Sequence, residues 1–285
     1  MTQRFVVVGA GTMGVGIAYV AAAAGFDTEM VEVDSDRLAA ALTTLDSRFA
    51  DAVARGRSTD ADAAAARTRI RGLASLDAVG EAPAVLVEAV PERLELKREV
   101  LAAAERKRPE LLGSNTSSIS IGELAGGLDA PERFIGLHFF NPVWAMPLLE
   151  VVVGPATAAE TRASAVALAG TLGKDPIVVR DMPGFATSRL GVALGLEAIR
   201  MVDDGVASPA DIDKAMMLGY RHPMGPLELT DLVGLDVRLD IARTLQAAYG
   251  VRFAPPLLLE RMVADGRLGR KTGQGFYTWV DGKKA

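Results

Sequence analysis

The chain has no cysteine among its 285 residues. That removes disulfides, thiolate zinc sites, iron–sulfur clusters and thiol nucleophiles together, and it fits a reducing, cytoplasmic setting. Aromatic residues are scarce, at 5%, so the core has to be built from Ala, Val, Leu and Ile. Positive charge is not in excess either. Lys and Arg number 31 against 36 Asp and Glu, a net charge of −5, which argues against nucleic acid as a partner and leaves room only for a local basic pocket. Histidine is limited to His138 and His222, so any imidazole base is one of these two. No metal site is expected from this residue set.

One stretch, residues 5–26, carries no charge, and its length alone would suit a membrane span or a signal peptide. Its interior reads differently. An apolar run at 5–8 is cut by Gly9, Gly11, Gly14 and Gly16 before an Ala-rich helical stretch begins, the pattern of strand, tight turn and helix. No membrane association is expected.

Short β-branched runs then alternate with helical spacing through the first two thirds of the chain. Strands are expected at 5–8, 28–33, 84–87, 111–114, 134–140, 148–153 and 177–180, with helices at 15–24, 36–55 and 94–106. Residues 58–71, Ala-rich and charged, read as part of an exposed helical pair. Ser120 and Glu123 have capping-box spacing, as do Thr157 and Glu160. Alternation of this kind specifies an α/β fold, a Rossmann-type doubly wound parallel sheet. After Asp181 the strand signal stops. Helices are expected at 185–202, after Ser208-Pro209, and at 226–233, 235–249 and 255–264. The expected division is therefore a dinucleotide-binding domain at 1–182 and an all-helical domain at 183–285. The apolar helices of the second domain suit a homodimer.

Gly9-Ala10-Gly11-Thr12-Met13-Gly14 follows a strand and opens a helix. The first glycine permits the turn, the second lets backbone approach a pyrophosphate, and the third allows close helix–strand packing. Glu32, 18 residues beyond Gly14, can accept hydrogen bonds from a ribose 2′-hydroxyl and would repel a 2′-phosphate, which points to NAD. Asp34 is the alternative ribose ligand, and Arg37 keeps a phosphorylated dinucleotide open.

His138 ends a strand, where open α/β sheets bind ligands, and Glu150 lies twelve residues on in the next strand. Neighbouring strands can join them as a proton-abstracting pair, the carboxylate holding one ring nitrogen while the other gains basicity. A satisfied core histidine is the competing interpretation. His222, in a turn, reads as structural. Ser114-Asn115-Thr116-Ser117-Ser118 is a second polar cluster at a strand end, able to hold a substrate oxygen or simply to shape a loop.

Taken together, the glycine-rich loop, Val87-Glu88-Ala89-Val90-Pro91-Glu92, Ser114–Ser118, His138-Phe139-Phe140-Asn141-Pro142, Pro223-Met224-Gly225-Pro226 and the tail from Gly269 to Tyr277 have a known order and spacing. Over nearly its whole length the chain resembles the short-chain L-3-hydroxyacyl-CoA dehydrogenases, including bacterial 3-hydroxybutyryl-CoA dehydrogenases. The resemblance implies oxidation of an acyl-CoA substrate, with His138 as base, Glu150 orienting it and Ser117 bonding the reacting oxygen. It implies NAD contacts at Gly9, Gly11, Thr12, Met13, Gly14, Glu32, Glu92, Lys97, Ser117, Asn141 and Lys271. Coenzyme A would meet Arg48, Arg55 and Arg57 with its phosphates, unless these arginines form a solvated face. One departure stands out. The family carries Asn in a Gly-Phe-x-x-Asn-Arg motif where this chain has Ser188, a group of shorter reach, which bears on the substrate more than on the reaction. Alternatives within and outside the class are a carrier-protein thioester, a free 3-hydroxy acid, or a dinucleotide-binding protein with little activity.

Overall fold

The computed structural model describes residues 3–285, which divide into two compact units meeting in sequence at Met182 and Pro183. The first unit alternates strand and helix: β1 Arg4–Val8, α1 Thr12–Ala23, β2 Asp27–Val31, α2 Ser35–Ala54, α3 Asp60–Thr68, β3 Ile70–Leu73, β4 Val85–Glu88, α4 Leu94–Glu105, β5 Leu111–Ser114, α5 Ile121–Ala125, β6 Phe134–Phe139, β7 Leu148–Val153, α6 Ala159–Thr171 and β8 Asp175–Arg180. These eight strands form one sheet in the order β3-β2-β1-β4-β5-β6-β7-β8. Neighbours are parallel except for β6 and β7, which are antiparallel. The uncharged N-terminal run is thus shared between a fully enclosed central strand and the helix that packs on it, with Phe5, Val6, Val7 and Ile17 at 0% exposure.

Chain direction reverses its march across the sheet at β1, so the loops leaving β1 and β4 part company at their carboxyl ends. This is the switch point at which such sheets bind ligands. Gly14 is required there for packing: a β-carbon on it would lie 1.9 Å from the Gly9 carbonyl oxygen.

Three local expectations are corrected. Residues 58–71 are not helical throughout, because α3 ends at Thr68 and Ile70–Leu73 forms the edge strand β3. Thr157 does not cap α6. Its hydroxyl accepts from the Gly154 amide and donates to the Phe134 carbonyl, tying the exit of β7 to the start of β6, while Ala158 is the N-cap. The antiparallel β6–β7 pair interrupts an otherwise parallel sheet. Ser120 does cap α5, accepting from the Glu123 amide at 3.2 Å.

The second unit holds α7 Thr187–Asp203, α8 Pro209–Gly219, α9 Pro226–Val233, α10 Leu235–Tyr249 and α11 Leu257–Ala264, packed around Leu196, Ile199, Leu227, Leu239 and Leu245. To these helices the structure adds a small hairpin, β9 Trp279–Val280 and β10 Lys283–Lys284, which the sequence reading lacked. Two buried carboxylates organise this unit. Asp213 accepts from the Leu227 and Glu228 amides, serving as a cap for α9 from a distance, and from the Tyr277 hydroxyl at 2.7 Å. Asp231 accepts from the Phe276 and Tyr277 amides and from the Trp279 indole, each at 2.9 Å. These contacts explain the motifs at 223–226 and 269–277. A β-carbon on Gly225 would strike Asp213, and one on Gly275 would strike Asp231.

Candidate active site

The glycine-rich loop runs from Gly9, just past β1, into the first turn of α1. Gly11 is the N-cap of that helix and makes no side-chain cap, the first turn carries no acidic residue, and a β-carbon on Gly11 would meet nothing within 4 Å. The amides of a helix N-terminus therefore open onto empty space, the arrangement that accepts a diphosphate. Beside it lies a cavity of about 630 Å³ bounded by Gly11, Met13, Glu32, Val90, Leu96 and Val100. Glu32 follows β2 and is 8% exposed, with its carboxylate accepting from the Ala10 amide at 3.2 Å and the Asp34 amide at 3.3 Å. Arg37 lies 3.6 Å from it. Asp34 is otherwise occupied: its Oδ1 caps α2, accepting from the amides of Asp36 and Arg37 at 3.0 Å. Of the two acids weighed for the ribose, only Glu32 both faces this cavity and touches the glycine-rich loop. The chain's own residues fit a dinucleotide.

At the ends of β4 and β5 a buried polar chain supports the turn that carries Ser117. Glu88, 0% exposed, accepts from Lys97 Nζ at 2.8 Å, the Val90 amide at 2.7 Å and the Ser114 hydroxyl at 2.6 Å. Lys97 also reaches Glu92 at 3.2 Å and the Val90 carbonyl at 3.2 Å. Its three donors thus have three acceptors, and its side chain is 1% exposed. Glu92 in turn accepts from Thr116 Oγ1 and from the amides of Ser117 and Ser118. Burial pushes the Glu92 carboxyl up, but Lys97 and the Thr116 and Ser117 donors outweigh it and hold it at about 2. Lys97 was expected to contact the cofactor. In this structure it lies beneath the turn and acts through Glu88 and Glu92, because no ammonium proton is left over for a ligand. Ser117 is exposed on that turn, its hydroxyl 3.4 Å from Glu92. Asn115, named above only as part of the polar cluster, accepts from the Phe139 amide and so fixes the end of β6.

His138 and Glu150 are opposite residues in the antiparallel β6–β7 register. Residues so paired project to the same side of the sheet and bring their side chains into contact. Here Nδ1 of His138 lies 2.7 Å from Oε2 of Glu150, with the histidine 7% exposed and the glutamate enclosed completely. The Phe140 ring packs against the imidazole at 4.4 Å between centroids. Asn141 is exposed and leads into a cis bond to Pro142. The loop that follows is held by Lys174, which donates to the carbonyls of Val143 and Met146. Burial lowers the pKa of that lysine. Nothing in the Gly173-Lys174-Asp175 sequence marks it for this role.

In the second unit, Ser188 stands half-buried in the first turn of α7 and Lys271 donates to Asp236 Oδ1 at 2.6 Å. Burial raises the Asp236 carboxyl, yet the Lys271 contact prevails and lowers it. His222 sits in a turn where its amide bonds to the Met216 carbonyl at 3.3 Å.

A glycine-rich helix start, an acid at the ribose position and a buried imidazole–carboxylate pair fit a nicotinamide-dependent dehydrogenase, and sequence comparison decides the family. Residues 4–182 match the NAD binding domain of 3-hydroxyacyl-CoA dehydrogenases, and residues 184–279 match the C-terminal domain of the same enzymes. The chain belongs to the 3-hydroxyacyl-CoA dehydrogenase family. It is an NAD-dependent enzyme. A probable 3-hydroxybutyryl-CoA dehydrogenase of Bacillus subtilis is 40% identical over 98% of this chain and 98% of its own length. A 3-hydroxyadipyl-CoA dehydrogenase of Escherichia coli is 40% identical over 97% of this chain and 59% of that protein. Among solved structures, the (S)-3-hydroxybutyryl-CoA dehydrogenase of Ralstonia eutropha superposes with a TM-score of 0.93, at 38% identity, covering 99% of this chain and 100% of that one.

Proposed function

We propose that this member of the family interconverts short-chain L-3-hydroxyacyl-CoA and 3-ketoacyl-CoA, with His138 as the acid–base group. The observation that carries the proposal is the buried 2.7 Å contact between His138 Nδ1 and Glu150. A carboxylate on Nδ1 sets the tautomer and stabilises the imidazolium that forms when Nε2 takes the proton of the 3-hydroxyl. When bound, NAD supplies the ring that accepts the hydride leaving C3. Glu32 would hold the adenosine ribose through its 2′-hydroxyl. Ser117, held by Glu92, would bond the reacting oxygen, and Asn141 and Lys271 are carried over from the resemblance as cofactor contacts. Ser188 is carried over as a substrate contact.

For coenzyme A, the support is a pocket of about 190 Å³ lined by Arg48, Arg55, Arg57, Tyr19 and Trp144. Arg48 lies 4.7 Å over the Trp144 ring. Three guanidiniums beside two aromatic rings suit a phosphorylated adenosine. The names of relatives divide between a four-carbon monoacid and a six-carbon diacid, so the acyl group is the least constrained part of the substrate. A cytoplasmic homodimer completes the reading. Exposed Leu218 and Tyr220, at 71% and 76%, offer apolar surface for a second copy, and sedimentation at twice the 29.9 kDa chain mass is the expected result.

The test is a substrate panel followed by NADH absorbance: acetoacetyl-CoA, longer 3-ketoacyl-CoAs, a carrier-protein thioester and free 3-hydroxy acids. CoA esters should be turned over and free acids should not. His138→Gln should lower turnover roughly 10²–10⁴-fold while NADH binding is retained. Near-normal acetoacetyl-CoA reduction by that variant would remove the base assignment.

A further inference from the structure

Trp144 sits in the middle of the loop that joins the two strands of the imidazole–carboxylate pair. This loop leaves β6 after Phe139, runs through Phe140, Asn141 and the cis bond to Pro142, and enters β7 at Leu148. Three contacts seat it on the rest of the first unit. Val143, 1% exposed, packs so closely on α1 that a β-carbon on Gly16 would lie 2.6 Å from it. Lys174 donates to the carbonyls of Val143 and Met146. The Trp144 ring meets Tyr19 of α1 edge-on, at 6.2 Å between centroids, and carries the Arg48 guanidinium of α2 over its face at 4.7 Å.

The first two contacts are internal to the fold. The third opens onto ligand space. Arg48 and Trp144 both line the arginine pocket of about 190 Å³, and both line a neighbouring cavity of about 430 Å³ that reaches Gly11 and Thr12 at the start of α1. Arg48 is not firmly held there. Its only ion pair among the described residues is with Asp51, at 3.4 Å on the exposed face of the same helix, where such a pair contributes little. Its Nε is enclosed and has no hydrogen-bond partner. A phosphate on this guanidinium supplies the charge-assisted bonds that the group lacks, and it fixes the cation over the ring. At the start of the same loop, the Phe140 ring packs on His138 at 4.4 Å. A ligand held at Arg48 thus bears on the seat of the imidazole without touching it.

We propose that Trp144 is a positioning residue through which the nucleotide end of coenzyme A acts on His138, so that this remote part of the substrate raises kcat as well as lowering KM. The proposal rests on the functional reading above, which puts the coenzyme A phosphates at Arg48, Arg55 and Arg57. Binding energy from a non-reacting group accelerates chemistry only where it improves the geometry of the reacting one. Here the route is short: phosphate, Arg48, the Trp144 ring, the backbone from Trp144 to Phe140, and the imidazole. A displacement of about 1 Å at a catalytic group costs on the order of 10²-fold in rate, so a loop that loses one of its seats slows the reaction. Arg55 and Arg57 line the same pocket but make no ion pair or ring contact with the loop among the described residues, which provides an internal contrast.

The test compares acetoacetyl-CoA with acetoacetyl-pantetheine, which carries the same reacting group and lacks the nucleotide. At saturation the unsubstituted protein should turn over the full ester roughly tenfold to a hundredfold faster. Adenosine 3′,5′-bisphosphate added in trans should restore part of that difference to the truncated ester. Trp144→Ala should bring the ratio of the two kcat values close to one and abolish the stimulation, while calorimetry still detects the bisphosphate. Trp144→Phe, which keeps a ring under the guanidinium, should retain part of both effects. If Trp144→Ala fails to fold, Arg48→Met should collapse the same ratio from the other side of the contact, whereas Arg55→Met should raise KM for the full ester and move the ratio less. Equal kcat values for the two esters in the unsubstituted protein, or a Trp144→Ala variant slowed by the same factor on both, would overturn the assignment and leave the coenzyme A site intact. Failure of the bisphosphate to bind, with KM for acetoacetyl-CoA unaltered in Arg48→Met, would remove the coenzyme A placement and this assignment with it. Turnover of neither ester would instead sink the dehydrogenase reading itself.

Discussion

Between pH 4.5 and about 2, Glu92 passes from an unfolded chain that takes up a proton to a folded one that resists it. A carboxyl lowered by folding adds stability that is complete above its unfolded value and disappears as pH falls through its folded value. With a side chain one-third exposed, solvent screening reduces the contribution to ~2 kcal/mol. Urea unfolding from pH 5 to pH 2 should show this loss, and Glu92→Gln should flatten that limb. The residue scale is also where the sequence was least legible. Glu32 and His138 could be found because their positions follow from strand ends. Lys97 could not, because a lysine at helical spacing looks the same whether it is solvated or paired beneath a turn. Only its contacts with Glu88 and Glu92 tell the two apart.

Elements were legible where their pattern was long. The strands at β1, β4 and β6 are largely apolar runs, enclosed on both faces as in a sheet covered by helices on both sides, and their positions follow from the sequence pattern alone. β3 was missed because Ile70–Leu73 is only four residues, includes Arg71 and Gly72, and forms the sheet edge. The antiparallel turn of β7 was missed for another reason: strand direction is set by how the 140–147 connection returns, and a short proline-bearing loop looks alike before either. That loop decides where Glu150 arrives, since a slip of one residue would send the carboxylate to the opposite face of the sheet. Lys174 is its anchor. Lys174→Met would leave the Val143 and Met146 carbonyls without their donor, at a cost of about 1–3 kcal/mol, offset in part by the lower expense of burying a neutral side chain. The expected signature is a lower kcat with nearly unchanged NADH affinity, measured by stopped-flow and fluorescence titration.

At the scale of the whole molecule, the fold class was legible because alternation and its abrupt end after Asp181 are global features. The final hairpin was not, since two-residue strands carry no periodicity. One side chain far back in the sequence gathers much of that terminal segment: Asp231, 1% exposed, accepts from residues 276, 277 and 279. Everything between, α10 and α11 included, is a loop fastened at both ends. Neither helix can peel away while the fastening holds, so the slowest-exchanging amides of α9, α10 and α11 should report one shared opening free energy in deuterium exchange. Asp231→Asn should drop all three together, because that one clasp closes the whole stretch of chain between positions 231 and 279.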